Sequence, residues 1–412
     1  MGVEVRQEER GRWLTPPRLR TVAEAAEERR ATWLELFFDL VFVVAITELS
    51  HELVVDHSAG GFLRFAGLFV PVFVAWQGFS FYADRFDTDD LAFRLAFFGG
   101  MLGIAAMAVL IHDVATGTHS AGFAIAYIAL RSLMLGLYWR AWVAVPEARP
   151  LIRLYGSGYA AGVAIWIASL AVAPPGRYVV WGIAQALELS LPPLSTRIHR
   201  RVPTSGRHAT ERWALFTLIV IGESVVAVAI GTAGAHWRLD SASAAVLGFA
   251  AVVAVWWLYF DRQDDLVLRP GSPAVVIYSY THLPLLMGLA AMSAGIRMLI
   301  DGAGQDHLGV GSSAALVGGA VVFLLALVAT RSVTVGGPRR LGISMKLTAA
   351  AILLGLLLVH GAMPPPALAA CLALVLAVLV VAERIYFPPT EISGPGAAGA
   401  AFDGQGGDRA RS

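Results

Sequence analysis

Charge is scarce in this chain. Asp, Glu, Lys and Arg make up 15% of its 412 residues, where soluble domains carry about 25%. Lysine is nearly missing: Lys346 is its one example, which reads as a composition bias of the genome rather than as chemistry. The formal net charge of +1 gives no basic surface, so no nucleic-acid partner is expected. Cysteine is limited to Cys371, inside a hydrophobic run, which excludes an intrachain disulfide and a thiolate metal cluster. The ten histidines are scattered, with no close pair on one helical face. Enzyme signatures are missing as well: there is no GxSxG, no HExxH, no P-loop and no GxGxxG between a strand and a helix. No catalytic residue, metal or cofactor is assigned on these grounds. Residues 1–30 hold Glu8, Glu9, Arg10, Glu24, Glu27, Glu28, Arg29 and Arg30 and no apolar core, so no signal peptide is expected.

What is abundant is apolar. Hydrophobic residues are 57% of the chain and the mean hydropathy is +0.66. They come in long blocks, and about 20 apolar residues suffice to cross a bilayer core of about 30 Å. Twelve segments qualify: 34–56, 62–82, 91–112, 119–144, 151–173, 177–195, 210–233, 241–261, 273–300, 311–330, 341–361 and 365–386. The weakest is 177–195, with Gln185, Glu188 and Pro192-Pro193. The pattern predicts an all-α, polytopic transmembrane helix bundle of about 12 spans, with the lipid bilayer as its solvent.

Arginine is distributed unevenly between the loops. Arg6, Arg10, Arg12, Arg18, Arg20, Arg29 and Arg30 crowd the first tail. Arg85, Arg149, the Arg197–Arg207 group, Arg262, Arg269, Arg339 and Arg340 fall in every second connection after it. The positive-inside rule then puts both termini in the cytoplasm. The stretch Arg18 to Arg30 is expected as a short surface helix, and residues 388–412, rich in Gly and Pro, as a disordered cytoplasmic tail.

The chain also echoes itself at an offset of about 180 residues, the size of a six-helix unit. Trp76 to Asp90 and Trp256 to Asp265 both join an aromatic stretch to Asp-Arg and then Asp-Asp. Gly103-Ile-Ala-Ala-Met107 returns as Gly288-Leu-Ala-Ala-Met292. Glu48 and Glu223 each sit inside an apolar segment that opens with Trp and Leu-Phe. An even number of spans per copy makes this a parallel 6+6 internal repeat, a transporter layout. The expected organisation is a cytoplasmic N-terminal tail over 1–30, a first repeat over 31–200, a second over 201–387, and the tail over 388–412.

A charge within hydrocarbon costs about 2.5–3.5 kcal/mol on insertion scales, so each instance needs a reason. Glu48, His51, Glu223, Glu188 and His282 fall inside the apolar segments and are candidates for a proton or cation pathway; interhelical struts are the alternative. Glu35, Asp39, Asp84, Arg85, Asp89, Asp90, Glu211, Arg212, Asp261 and Arg262 gather at the cytoplasmic helix ends. Arg–carboxylate forks there are suited to a gate between bundles, or to permanent salt bridging. Asp84, Asp87, Asp89 and Asp90 lack the spacing of an EF-hand, so no metal is assigned to them.

Two segments carry a family resemblance. Thr32-Trp33-Leu34-Glu35-Leu36-Phe37-Phe38-Asp39-Leu40-Val41-Phe42-Val43-Val44-Ala45-Ile46 resembles the opening signature of the bacterial low temperature requirement protein A (LtrA) family. Glu211-Arg212-Trp213-Ala214-Leu215-Phe216-Thr217-Leu218-Ile219-Val220-Ile221-Gly222-Glu223-Ser224 resembles its second, and the Arg85–Asp90 loop is similar too. The resemblance runs over about residues 30–385. It implies a bacterial inner-membrane protein of a family named for growth in the cold, with marked positions Glu35, Asp39, Glu211, Gly222 and Glu223. A looser similarity to major facilitator transporters rests on twelve spans, internal termini and the Asp-Arg element. The leading Gly and trailing basic residues of that element are missing. A transporter or permease for an unknown small molecule or ion is the first expectation. A membrane-embedded enzyme acting on a lipid or isoprenoid is the second, and a non-catalytic sensor or adaptor linked to cold growth the third.

Overall fold

The computed structural model describes residues 14–20, 31–196, 206–234, 238–263, 268, 272–334 and 340–387. Twelve long helices lie among them, each over one of the twelve apolar segments. They are α1 Trp33–Val55, α2 Ala59–Arg85, α3 Leu91–Ala115, α4 Ser120–Ala144, α5 Arg149–Ser169, α6 Gly176–Leu194, α7 Gly206–Gly234, α8 Leu239–Phe260, α9 Pro273–Asp301, α10 Val310–Ser332, α11 Arg340–Val359 and α12 Pro365–Tyr386. Ten of the twelve are long and apolar enough to cross a bilayer; α1 and α6 fall outside that set. The reason lies in their side chains: α1 carries Glu35, Asp39, Glu48 and Glu52, and α6 carries Arg177, Gln185 and Glu188.

Local chemistry sets where the helices start. Thr32 and Glu35 form a capping box at α1: the Thr32 amide donates to Glu35 Oε2 at 2.7 Å and the Glu35 amide to Thr32 Oγ1 at 3.3 Å, which satisfies two otherwise orphaned donors. Ser58 caps α2 through the Gly61 amide at 3.2 Å. Asp90 caps α3 through the Phe93 amide at 2.9 Å. Proline opens α9 and α12, where its missing N–H costs nothing. One turn of α10, Ala314–Gly318, is π-helical.

The helices run up and down, so the bundle has two ends. At the proximal end α1 begins and α2 finishes. Contacts there join the finishing turns of even-numbered helices to the starting turns of odd-numbered ones, as Arg140 of α4 does with Asp90 before α3. At the distal end Arg177, starting α6, donates to Ser120, starting α4, at 2.7 Å.

Burial marks what faces lipid. Helix α2 is buried on nearly every side from Leu68 to Arg85, and α9 from Leu285 to Ile300. Around them, large apolar side chains point outward: Leu63 is 75% exposed, Val109 77% and Leu358 87%. Apolar exposure on this scale suits hydrocarbon rather than water.

Each set of six helices packs in the same pairs. The first helix meets the second and third, the third meets the fourth, the fourth the fifth, the fifth the sixth, and the sixth the second; α7 to α12 repeat this order. The two sets meet where α1 and α2 face α7 and α9, and where α6 touches α9. Glycine brings α9 and α10 into backbone contact: a Cβ on Gly288 would lie 2.7 Å from Gly319 O, and one on Gly295 2.3 Å from Leu316 N.

One expectation changes. Arg18–Leu19 is a short extended strand, β1, not the start of a helix. It pairs antiparallel with β2, Phe86–Asp87, beyond α2. Arg18 and Arg20 both reach Asp87 there, and this pairing satisfies the backbone that a helix would have served internally. Residues 21–30 of the expected surface helix, the Asp264-Asp265 pair and the tail over 388–412 lie outside the described residues.

Candidate functional site

The polar interior begins on α1. Four acidic residues on this helix point into or beside the bundle at two levels. The proximal level is built on Asp39, which is fully buried. Its Oδ1 accepts from Trp76 Nε1 of α2 at 2.7 Å and from Arg212 Nη2 of α7 at 2.7 Å. The same Nη2 donates to Ser80 Oγ of α2 at 3.1 Å. Arg212 Nη1 stands 3.6 Å from Glu35 Oε1, so the capping carboxylate of α1 has a second task. Glu211, next to Arg212, accepts from the Ala31 amide at 3.4 Å. Aromatic rings enclose the junction: Trp76 stacks on Phe216 with centroids 4.4 Å apart and also touches Trp213. A guanidinium buried among carboxylates and rings, with water kept out, is held strongly, because the low dielectric magnifies each charge-assisted bond.

The distal level lies about two turns further along α1. Thr47 Oγ1 donates to Glu223 Oε2 of α7 at 2.5 Å. Arg297 of α9 donates from Nη1 to His51 Nδ1 at 3.1 Å, and its charge is felt at Glu223. Glu48 lies within electrostatic reach of Glu223 and of His112 on α3. His112 itself holds Glu52 at 2.6 Å. Glu223 is buried, whereas Thr47, Glu48, His51 and Arg297 are half-buried. This level therefore holds a sheltered carboxylate beside groups that reach the outside of the bundle.

The other expected residues stay within one set of six helices. Glu188 pairs with Arg131 of α4 at 2.5 Å and accepts from Tyr127 at 2.7 Å; both charges are fully enclosed. Gly78 of α2 and Gly162 of α5 make room, for a Cβ at either would stand 2.7 Å from Arg131 Nη1 or Glu188 Oε1. In the other set, Lys346 pairs with Glu383, and Arg331 donates to the carbonyls of Leu258 and Tyr259 at 2.7 and 3.0 Å. His282 of α9 is buried between Tyr259 OH at 2.9 Å and the Tyr278 carbonyl at 2.7 Å. A carbonyl only accepts, so Nδ1 bears the proton and Nε2 accepts from Tyr259.

At the proximal rim the acidic and basic residues bond locally. Asp89 holds Arg94 through two 2.8 Å bonds. Asp90 holds Arg140 at 2.6 Å in addition to its cap. Arg85 is buried with its guanidinium 5.1 Å from the Tyr155 ring centroid and 5.2 Å from that of Phe81, and Asp84 is buried beside it. Asp261 pairs with Arg384 at 2.5 Å, and Arg262 donates to the Phe387 carbonyl. Of the ten residues expected at this end, the structure thus brings Glu35, Asp39, Glu211 and Arg212 together across the two sets, while the contacts described above for Asp84, Arg85, Asp89, Asp90, Asp261 and Arg262 are with residues of their own set. Among the described residues, no three His, Cys, Asp or Glu side chains gather into a metal-holding group.

Five participants in the two levels were not singled out from sequence: Thr47, Glu52, Ser80, His112 and Arg297. Arg297 left a signal, a charge deep in the ninth apolar segment. Thr47 and Ser80 left none, because a hydroxyl in an apolar helix usually bonds its own backbone.

Long apolar helices with lipid-facing exteriors and ionisable groups inside define a multi-pass membrane protein. The chain belongs to the bacterial low temperature requirement A protein (LtrA) family, whose profile matches residues 30–381. It is similar to "Uncharacterized protein RA0937" of Rhizobium meliloti (strain 1021), with 27% identity over 326 residues that cover 73% of this chain and 77% of that protein.

Proposed function

We propose that this protein is a transporter or permease of the bacterial inner membrane, moving a small molecule or ion with coupling to protons or cations. One observation carries the reading. Helix α1 belongs to the first set of helices, yet its acidic and polar side chains bond to α7 and α9 of the second at both levels, through Asp39–Arg212 proximally and Thr47–Glu223 with His51–Arg297 distally. Alternating access requires contacts between two bodies that open at one end while closing at the other. Asp39, Arg212 and Glu35 then form the proximal gate, and Glu223, Glu48 and His51 the ion path.

The finer topology follows the same reading: all twelve helices cross, the repeats occupy 31–200 and 201–387, and both termini are cytoplasmic. Support comes from the shared pairing order of the two sets. It also comes from Gly103 and Gly288, each of which faces the next helix of its own set. The cation–carboxylate pairs Arg131–Glu188 and Lys346–Glu383 offer further support, one inside each set. An enzyme acting on lipid would need carboxylates converging at a lateral opening. The cleft between α6 and α9 is lined instead by Pro193, Val276, Ile277 and Pro284.

The test is proton flux into proteoliposomes under an imposed potassium diffusion potential, read with an entrapped pH dye. Wild type should exceed both empty liposomes and Glu223→Gln, which keeps the Thr47 bond but carries no charge. Equal flux in all three removes the proton-coupled reading.

A further inference from the structure

We infer that the proximal end of the second set of helices holds a site for a phosphate-type oxyanion, formed by Arg331 and Lys346 with Arg262 at its mouth. The helices concerned are neighbours: α8 packs on α12, α12 on α11 and α11 on α10. Arg331 lies in the last turn of α10, Lys346 in the second turn of α11, and Glu383 in the last turn of α12. Arg262 follows the end of α8. Arg331 is 4% exposed and Lys346 3%, and Glu383 is buried with them. Lys346 is within electrostatic reach of Glu383, Arg331 and Arg262, and Arg331 of Glu383 and Arg262. One carboxylate thus stands among three cations, and it already bonds the Lys346 ammonium. Asp261, the neighbouring carboxylate, is taken by Arg384 at 2.5 Å and by Trp257 Nε1 at 3.1 Å. Two positive charges are left without a counterion among the described residues. In the first set, Arg131 and Glu188 instead pair one to one.

Hydrogen bonding points the same way. Arg331 Nη2 donates to the Leu258 and Tyr259 carbonyls at 2.7 and 3.0 Å. Those carbonyls close α8, and the partial negative charge of a helix end offsets only about half of one cation. Arg331 Nε is buried and meets no acceptor among the described residues. A guanidinium N–H shut away from water calls for one. Arg262 is half-buried and donates to the Phe387 carbonyl, so the cluster opens toward the proximal surface. A phosphate group suits these donors, since it offers several acceptor oxygens to guanidinium and ammonium together. Its one or two negative charges match the excess, whereas a carboxylate neutralises half of it at most. Lys346 lies six residues into α11, about 9 Å along the helix axis. That depth is open both to an ion from solution and to the phosphate of a lipid head group, which share this chemistry.

The experiment uses the full chain in maltoside micelles, with ionic strength held constant by sodium chloride. One arm adds inorganic phosphate and the other a short-chain phosphatidylglycerol. The apparent dissociation constant is read from the rise in the thermal unfolding midpoint, since a ligand that binds only the folded state stabilises it. Wild type should respond to at least one of the two, and the one that acts names the source. Arg262→Gln should weaken binding about tenfold, which corresponds to about 1.4 kcal/mol, and Arg262→Lys should weaken it less. Arg331→Gln should bind neither ligand; the half-buried Arg262 variants keep the test open if that protein fails to fold. Arg64→Gln, exposed at the distal end, should bind as wild type does. No response to either ligand means that the chain balances its own charge, and overturns the site. A response equal in wild type and Arg262→Gln is a general salt or detergent effect, and overturns it as well.

Discussion

Arg212 Nη2 lies 2.7 Å from Asp39 Oδ1, with both side chains almost wholly buried between α1 and α7. Neither charge is stable there alone. Removing one partner of such a pair typically costs about 3–5 kcal/mol, because the other is left desolvated and uncompensated. Asp39→Asn and Arg212→Ala should therefore each lower the thermal unfolding midpoint in detergent substantially. The double variant Asp39→Leu with Arg212→Leu should recover a large part of that loss while failing in flux assays. A double variant less stable than either single change would contradict a compensated pair.

Glycines separate packing from chemistry. A Cβ at position 162 would stand 2.7 Å from Glu188 Oε1, whereas one at position 156, on the same helix, meets nothing within 4 Å. Gly162→Ala should destabilise by about 1–3 kcal/mol, the usual cost of overpacking a core. Gly156→Ala should be neutral or stabilise by up to about 1 kcal/mol, since alanine is the better helix former. Matched unfolding curves for the two variants would refute the tight seat of the Arg131–Glu188 pair.

Whether α1 crosses the membrane is decided by a reporter in the α5–α6 turn, and whether α6 also crosses by a second one after Ser412. Five crossings precede Pro174 if α1 spans, and four if it does not. A phosphatase inserted after Pro174 should be active in the periplasm, and one fused after Ser412 inactive. An inactive Pro174 fusion beside an intact protein level would remove α1 from the count.

Asp56, in the connection between α1 and α2, has its carboxyl held below the ordinary 3.8 by hydrogen bonds from the Ser58 side chain and amide. A folded-state value below the unfolded one means that this contribution is present at pH above 3.8 and is lost as the carboxylate takes up a proton at lower pH. Amide protection at Ser58 should therefore fall on acidification through that range in wild type. In Asp56→Asn, whose Oδ1 still accepts, it should be constant with pH, and in Asp56→Ala it should be low at every pH. Protection that is constant with pH in wild type would show the turn to be held by other contacts.

Ten of the twelve helices were legible because each is an apolar block of bilayer length, a signal that survives without knowledge of neighbours. Asp39 and Arg212 were each legible as costly charges, and their shared end of the bundle followed from counting spans. Their mutual contact was not, since helix rotation depends on packing that no single segment encodes. His51 shows the same limit: it stands three residues from Glu48, yet its hydrogen bond goes to Arg297, 246 positions away. The β1–β2 pairing escaped because two residues carry no period. Asp89 and Asp261, legible only as charges at helix ends, have described ion pairs with Arg94 and Arg384, partners that the span count alone could not pick out.

Gly288 and Gly319 place the α9 and α10 main chains against each other. With no side chain between them, nothing there can rotate aside to let one rod slip past its neighbour. Mechanically the two behave as a single stiff plank, so any displacement between the two sets would be taken up along the α1 seam, where the contacts are made by polar and ionisable side chains.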